Sequence, residues 1–166
     1  MTKRNWSYSL ILILISVWLG WTVIVDFFVV PTVFRTIDDF FKAGELGMSL
    51  FSQLNKLELL VSSLIIVLSV MQVRRNPASK PLIFFAFTSW AIVMFYFSFL
   101  TPKIISLTEL WMASDSETMK MGSGLKMDIQ QEHQFYHELY RKLDAFKLIL
   151  LTVFLAMSVK KSDKWA

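Results

Sequence analysis

Residues 10–25 read LILILISVWLGWTVIV, an apolar run without a charged side chain. An α-helix rises about 1.5 Å per residue, so about 20 such residues cross the roughly 30 Å hydrocarbon core of a bilayer. The run is longer than the apolar region of a typical signal peptide, and no small-residue cleavage site follows it. It therefore predicts an uncleaved membrane span from about residue 8 to residue 30.

Three further segments predict membrane spans, at about residues 54–73, 81–100 and 136–159. The fourth is free of charge only from Leu148 to Val159, so its first half must cross the membrane with charged side chains surrounded by protein or water. The 166 residues are therefore predicted to form one integral membrane domain, residues 1–166, with an all-α fold: a four-transmembrane-helix bundle.

Basic residues are distributed unevenly between the segments that connect these spans. The terminal tails and the loop between spans two and three hold eight of them, and the other two loops hold four among many acids. Because positive charge is retained on the cytoplasmic side, the pattern predicts that both termini are cytoplasmic. The outer loop between helices 3 and 4, which includes residues 109–132, is predicted to be longer than an ordinary helix connection. A bacterial inner (plasma) membrane is the favoured location. The eight are Lys3, Arg4, Arg74, Arg75, Lys80, Lys160, Lys161 and Lys164.

Composition excludes several classes of protein. Hydrophobic residues make up 55% of the chain and charged residues only 18%, against about 25% in soluble domains. The absence of cysteine excludes disulfide scaffolds, iron–sulfur clusters and thiol nucleophiles. The net charge of +4 comes from residues that flank the spans, so no nucleic-acid partner is expected. Signatures of common enzymes, such as a P-loop or H-E-x-x-H, are missing, and the protein is predicted not to be an enzyme.

Polar side chains collect in the outer halves of all four predicted spans. Asp26 lies about four residues, or roughly 6 Å, from the end of span one, so it should face the bundle and meet a cation. Lys56, Lys103 and Arg141 are the candidate cations. In span four, His137, Arg141 and Asp144 are spaced to share one helix face. These positions predict a polar pocket made by Asp26, Arg35, Asn55, Glu58, Lys103, His137, Arg141 and Asp144.

Two other interpretations of these residues remain open. Charged side chains at helix ends often only reach the interface, and a buried ion pair can simply hold helices together, so the cluster could be a structural lock. His133 and His137, at i and i+4, could instead bind a metal, and thioether with imidazole suits copper(I). Haem is not expected, because both histidines lie on one helix. The methionines near the pair are Met112, Met119, Met121 and Met127.

Three short stretches follow the pattern of a known family: residues 28–35 (FVVPTVFR) with 43–51 (AGELGMSLF), residues 101–104 (TPKI), and residues 135–144 (FYHELYRKLD). They resemble the transmembrane-protein-205-like proteins, which carry domain of unknown function 4149. An amide is usual in that family where Asp144 stands here. The resemblance implies a compact four-helix membrane domain without a defined enzymatic activity. It also implies a common outer-side site of Pro31, Arg35, Glu58, Pro102 and His137.

The leading functional hypothesis is a non-enzymatic multi-pass membrane protein with an outer-side polar pocket. It would bind or transport a small solute or ion, or support envelope homeostasis, and a His137 that titrates near neutral pH could gate it. The first alternative is a structural or assembly subunit of a larger membrane complex, with a homo-oligomer or another membrane protein as partner. The second is copper handling at the outer face; no other cofactor is expected.

Overall fold

The computed structural model describes residues 6–115 and 123–162, and every regular element in these two ranges is a helix. The predicted all-α fold is confirmed. Two of the elements are single π-helical turns, which we call the first and second π turns. In chain order the elements are α1 (Trp6–Ile24), the first π turn (Val25–Val29), α2 (Val30–Thr36), α3 (Phe40–Arg75), a 3₁₀ turn (Pro77–Ser79), α4 (Lys80–Phe95), the second π turn (Tyr96–Leu100), α5 (Thr101–Asp115) and α6 (Ser123–Ser162).

These elements form four long helical rods. Within the described residues, three rods are long and apolar enough to cross a membrane: Trp6–Thr36, Lys42–Arg75 and Pro77–Ala113. The fourth rod, α6, carries too many charged side chains in its first half to qualify by composition, as the sequence predicts. All four run beyond the predicted spans, and helix already covers residues 109–115 of the predicted loop. Residues 116–122 lie outside the described ranges.

The rods pack through stripes of buried side chains. On α6 six of the buried positions follow one another at intervals of four or three residues, the spacing of one face of a packed helix. On α1 the same spacing buries Ile11, Ile15, Trp18 and Thr22. The two stripes meet in the main apolar core, which also takes Ile65 from α3. The α6 stripe consists of Tyr140, Asp144, Lys147, Leu151, Phe154 and Ser158.

The outward faces of the rods are also apolar. Phe28, Phe84 and Ile149 are each more than 60% exposed. A soluble monomer rarely exposes apolar patches of this kind, whereas lipid tails solvate them without penalty. The exposed surface is therefore that of a bundle surrounded by hydrocarbon.

Each π turn is followed by a proline at the same spacing. Pro31 comes two residues after Val29, and Pro102 comes two residues after Leu100. Proline has no N–H to give the carbonyl four residues earlier, and its ring crowds that carbonyl. The backbone responds with a wider turn, in which the residue before the proline donates to the carbonyl five residues back: Val30 to Val25, and Thr101 to Tyr96. The two prolines thus account for the two irregularities in rods one and three.

The end of the bundle that carries Arg74, Arg75, Lys80 and Lys160 is here called the basic end. Helix α3 stops there because Asn76, which precedes Pro77, is extended; its side chain accepts a hydrogen bond of 3.1 Å from the Ala78 amide. The Tyr8 hydroxyl donates to the Ser158 carbonyl, and Arg75 donates to the Ser7 hydroxyl at 3.4 Å. These bonds tie α1 to α6 and to α3. The end that carries Lys103 and Glu132 is called the opposite end.

Replacing Phe154 tests whether the buried stripe of α6 packs inside the bundle. Phe154 is 1% exposed and stacks on Phe85 with ring centroids 5.7 Å apart. We expect Phe154→Ala to lower the free energy of unfolding in detergent by about 3 kcal/mol, because it leaves a cavity in a packed interior. Phe146→Ala, at a 50% exposed position of the same helix, is the control and should change it little. Equal losses in the two variants would contradict this packing arrangement.

Candidate functional site

The interior polar site is centred on the ammonium group of Lys147, whose side chain is fully buried. Its Nζ lies 2.7 Å from Glu58 Oε1 and 2.6 Å from Asp144 Oδ1. It also lies 5.3 Å from the centroid of the Tyr96 ring, a cation–π distance. A buried charge is tolerated only when it is paired and hydrogen-bonded, and Lys147 meets that condition through two helices.

Glu58 is the carboxyl group that joins three of the four rods. Its Oε1 accepts hydrogen bonds from Lys147 on α6 and from the Trp18 indole on α1, the latter at 3.0 Å. The Thr22 hydroxyl lies 3.2 Å from the same oxygen and 3.0 Å from the Trp18 carbonyl. The other carboxyl oxygen, Oε2, is buried and has no hydrogen-bond partner.

Asp26 adds a third carboxyl group from the first π turn. Its carboxyl group lies within electrostatic range of Asp144, Lys147 and Glu58. Its Oδ2 is buried without a hydrogen-bond partner. We call Asp26, Glu58, Asp144 and Lys147 the acidic cluster. Two of its carboxyl groups contact the ammonium group, and the third, that of Asp26, lies within electrostatic range of it.

The cluster lies deep in the bundle. Glu58 precedes Arg74 by 16 residues of continuous helix and Lys147 precedes Lys160 by 13, which places them about 24 Å and about 20 Å from the basic end. Both π turns border the cluster: Asp26 belongs to the first, and Tyr96 is the first residue of the second. Such turns are often found at functional sites, because they change which side chains face the interior.

A second set of polar side chains lies between the acidic cluster and the opposite end. The Asn55 amide donates to the Thr101 hydroxyl at 2.6 Å, and the Tyr140 hydroxyl donates to Asn55 Oδ1 at 3.3 Å. Asn55 precedes Glu58 by three residues and Tyr140 precedes Asp144 by four, so this group lies one helical turn from the cluster. We call Asn55, Thr101 and Tyr140 the polar latch.

A groove of about 210 Å³ leads to the polar latch from outside the bundle. Two latch residues, Asn55 and Thr101, form part of its wall. Helices α3 and α5 and the second π turn supply the lining residues: Ser52, Asn55, Phe97, Thr101, Pro102 and Ile105.

The predicted pocket residues are only partly brought together. Asp26, Glu58 and Asp144 meet in the acidic cluster, and Asn55 lies one turn away in the latch. Their role in function stays a prediction. The others lie elsewhere: Arg35, His137 and Arg141 are exposed, and Lys103 pairs with Glu132 at 2.9 Å. Arg141 instead lines a surface depression with Glu138, Lys142 and Ala145.

Two details of the predicted pocket need correction. The cation that interacts electrostatically with Asp26 is Lys147, whereas the expected candidates Lys56 and Arg141 are exposed and Lys103 has another partner. The predicted α6 face of His137, Arg141 and Asp144 is also not the buried one. The buried stripe runs through Tyr140, Asp144 and Lys147, so the true face shares only Asp144 with the prediction.

The histidine pair lies near the opposite end, apart from the cluster. The rings of His133 and His137 have centroids 6.0 Å apart, and Trp111 packs 5.7 Å from His133. Burial, together with neighbouring His137, lowers the pKa of His133, so its ring is neutral at pH 7. Among residues 6–115 and 123–162, no group of three or more His, Cys, Asp or Glu side chains could hold a metal ion. Met119 and Met121 lie outside the described residues.

The sequence contained one usable signal for the central residue. Lys147 is the last charged residue before the charge-free run that starts at Leu148, so it is too deep to reach either interface. Its spacing from Asp144 also places both on one face. Trp18, Thr22 and Tyr96 had no comparable signal, because an apolar or hydroxyl residue in a span usually just packs.

Replacing Lys147 tests whether the ammonium group holds the cluster together. We expect Lys147→Met to lower the free energy of unfolding in detergent by about 3–5 kcal/mol, because buried carboxyl groups lose their counter-ion. Lys142→Met is the matched control, since Lys142 is exposed and only forms a surface pair with Glu138. A double variant with Glu58→Gln should recover part of the loss. No recovery would indicate that Lys147 stabilises by packing alone.

Comparison with known proteins places the chain in one family. A family model described as "Domain of unknown function (DUF4149)" matches residues 13–111. No curated protein and no solved structure matches the chain. The matched range holds Asp26, Asn55, Glu58 and Tyr96 and ends before α6. It covers more than half of the 166 residues, and the chain belongs to the DUF4149 family.

Proposed function

We propose that this protein is a non-enzymatic multi-pass membrane protein that binds a small cation at the acidic cluster, as part of ion or small-solute movement across the membrane. One observation carries the proposal: two carboxyl groups pair with a single ammonium group inside the bundle, the third, Asp26, lies within electrostatic range of it, and two buried carboxyl oxygens have no partner.

The charge imbalance is what separates this function from a purely structural role. Lys147 balances one carboxylate, and an additional buried negative charge would cost several kcal/mol if nothing neutralised it. A bound cation supplies the missing positive charge. Glu58 Oε2 and Asp26 Oδ2 are the oxygens still free to receive it.

Orientation and location form part of the same proposal. Arg74, Arg75, Lys80 and Lys160 lie at one end of the bundle, and the positive-inside bias supports a cytoplasmic position for that end and for both termini. The acidic cluster would then be nearer the outer face of a bacterial inner membrane. Lipid surrounds the apolar flanks, and a second copy of the chain or another membrane protein could share them.

The main alternative is a structural or assembly subunit of a membrane complex. The complete burial of Lys147, with contacts to two carboxylates, favours it, because such a group holds helices together even without a ligand. Copper handling by His133 and His137 is a weaker alternative. No His, Cys, Asp or Glu side chain among the described residues joins the pair to complete a site.

Reconstitution into liposomes tests the proposed function. We expect the wild-type protein to dissipate an imposed gradient of protons, Na⁺ or K⁺, followed with a dye specific for each ion. Asp26→Asn removes one carboxylate of the cluster and should slow that flux at least about tenfold, the change that a loss of about 1.4 kcal/mol in binding produces.

The control is Asp38→Asn, which changes an exposed acid in the turn between α2 and α3 and should behave as wild type. Both variants must first be shown to insert and to stay monodisperse. Flux equal to that of empty liposomes for the wild-type protein and both variants would contradict a transport role. Co-purification with a membrane partner would then favour the assembly subunit.

A further inference from the structure

We propose that the ligand of the acidic cluster is the proton, and that the polar latch of Asn55, Thr101 and Tyr140 controls its access from the groove. This inference rests on the proposed function and names the cation of that same site. It also assigns a role to three residues outside the cluster.

The proton is the cation that fits the cluster, because Lys147 already holds the oxygens that a larger cation would need. Lys147 Nζ occupies the position between Glu58 and Asp144, at 2.7 and 2.6 Å from their oxygens. A metal cation needs several oxygen ligands, and the two oxygens without partners, Glu58 Oε2 and Asp26 Oδ2, are too few. It would therefore also have to take the oxygens that Lys147 holds. A proton requires no additional volume and binds directly to a carboxyl oxygen.

The binding step balances as a simple transfer. Hydronium gives one proton to a carboxylate oxygen, an O–H bond forms, one water molecule remains, and the charge of the cluster becomes less negative by one. Glu58 Oε2 is a suitable acceptor, since Glu58 is fully buried and this atom has no partner. Titratable groups face the site from four elements, while α1 presents only Trp18 and Thr22. They are Asp26 from the first π turn, Glu58 from α3, Tyr96 from the second π turn, and Tyr140, Asp144 and Lys147 from α6.

The polar latch stands between the groove and this acceptor. The groove reaches Asn55 and Thr101, and Tyr140 bonds to Asn55 from the cluster side. The Tyr140 ring is held by stacking on Tyr96, with centroids 4.6 Å apart, and by the edge of Phe51 at 5.3 Å. Water can therefore pass from the groove to the carboxyl groups only when the two latch hydrogen bonds open.

Access from the basic end is blocked by packing. Between the cluster and that end, Ile15, Ile65, Leu151 and Phe154 fill much of the interior and are at most 1% exposed. The hydroxyl groups of Ser69 and Ser89 are also buried there, but they have no hydrogen-bond partner, so they do not form a hydrogen-bonded chain that could carry protons. We therefore expect the site to exchange protons through the groove.

Rapid mixing of the full-length protein in detergent to a lower pH tests the inference. Infrared absorbance of protonated carboxyl groups reports proton uptake between about pH 9 and about pH 5. Uptake is expected as the pH falls, and Asp26→Asn should reduce its amplitude. Tyr140→Phe keeps the ring and removes the latch hydroxyl, so uptake should become at least about tenfold faster, equivalent to about 1.4 kcal/mol, the order of one hydrogen bond. Thr101→Val, which removes the acceptor of Asn55, should act in the same direction.

Tyr136→Phe is the matched control, because this tyrosine lies one turn earlier on α6 and is not part of the latch; it should leave the rate unchanged. Unaltered rates in Tyr140→Phe and Thr101→Val would overturn the latch. The proton would be ruled out as the ligand if the wild-type protein takes up no protons, or if Asp26→Asn leaves the uptake unchanged. The proposed function survives that second result if liposomes still dissipate a Na⁺ or K⁺ gradient in an Asp26-dependent manner, and fails if they dissipate none.

Discussion

The burial of a lysine among carboxyl groups is the constraint on which the rest of this bundle depends. An ammonium group cannot remain charged inside a membrane protein without partners, and Lys147 obtains them from α6 itself and from α3. That requirement sets the rotation of α6, because Tyr140, Leu151 and Phe154 follow Lys147 onto the same buried face. It also allows a helix with a charged first half to lie beside three apolar ones.

The prolines provide the second constraint. Pro31 and Pro102 each remove one regular backbone hydrogen bond, and a π turn forms ahead of each of them. Asp26, which belongs to the acidic cluster, lies in the first of those turns. Tyr96, whose ring contacts Lys147 of the cluster, lies in the second. The irregular backbone therefore occurs where the bundle interior is polar, and the regular helices enclose the apolar core nearer the basic end.

The region that matches the DUF4149 family contains only part of the acidic cluster. The matched residues 13–111 include Asp26 and Glu58, while Asp144 and Lys147 lie on α6 beyond them. Asp26 and Glu58 in the matched region therefore depend for charge balance on Lys147, which lies outside it. A cation-binding role deserves to be tested on the whole chain, because the matched region alone would hold buried acids without their ammonium partner.

The sequence by itself determined the all-α architecture and the number of long helices. Long apolar runs have no other stable conformation in a bilayer, so length and hydropathy suffice for these features. It also identified Asp26, Asn55, Glu58 and Asp144. Tertiary structure alone decided which polar residues meet. A shift of one residue turns a helix by about 100°, enough to exchange the exposed Arg141 for the buried Tyr140, and only packing against three other rods selects between them.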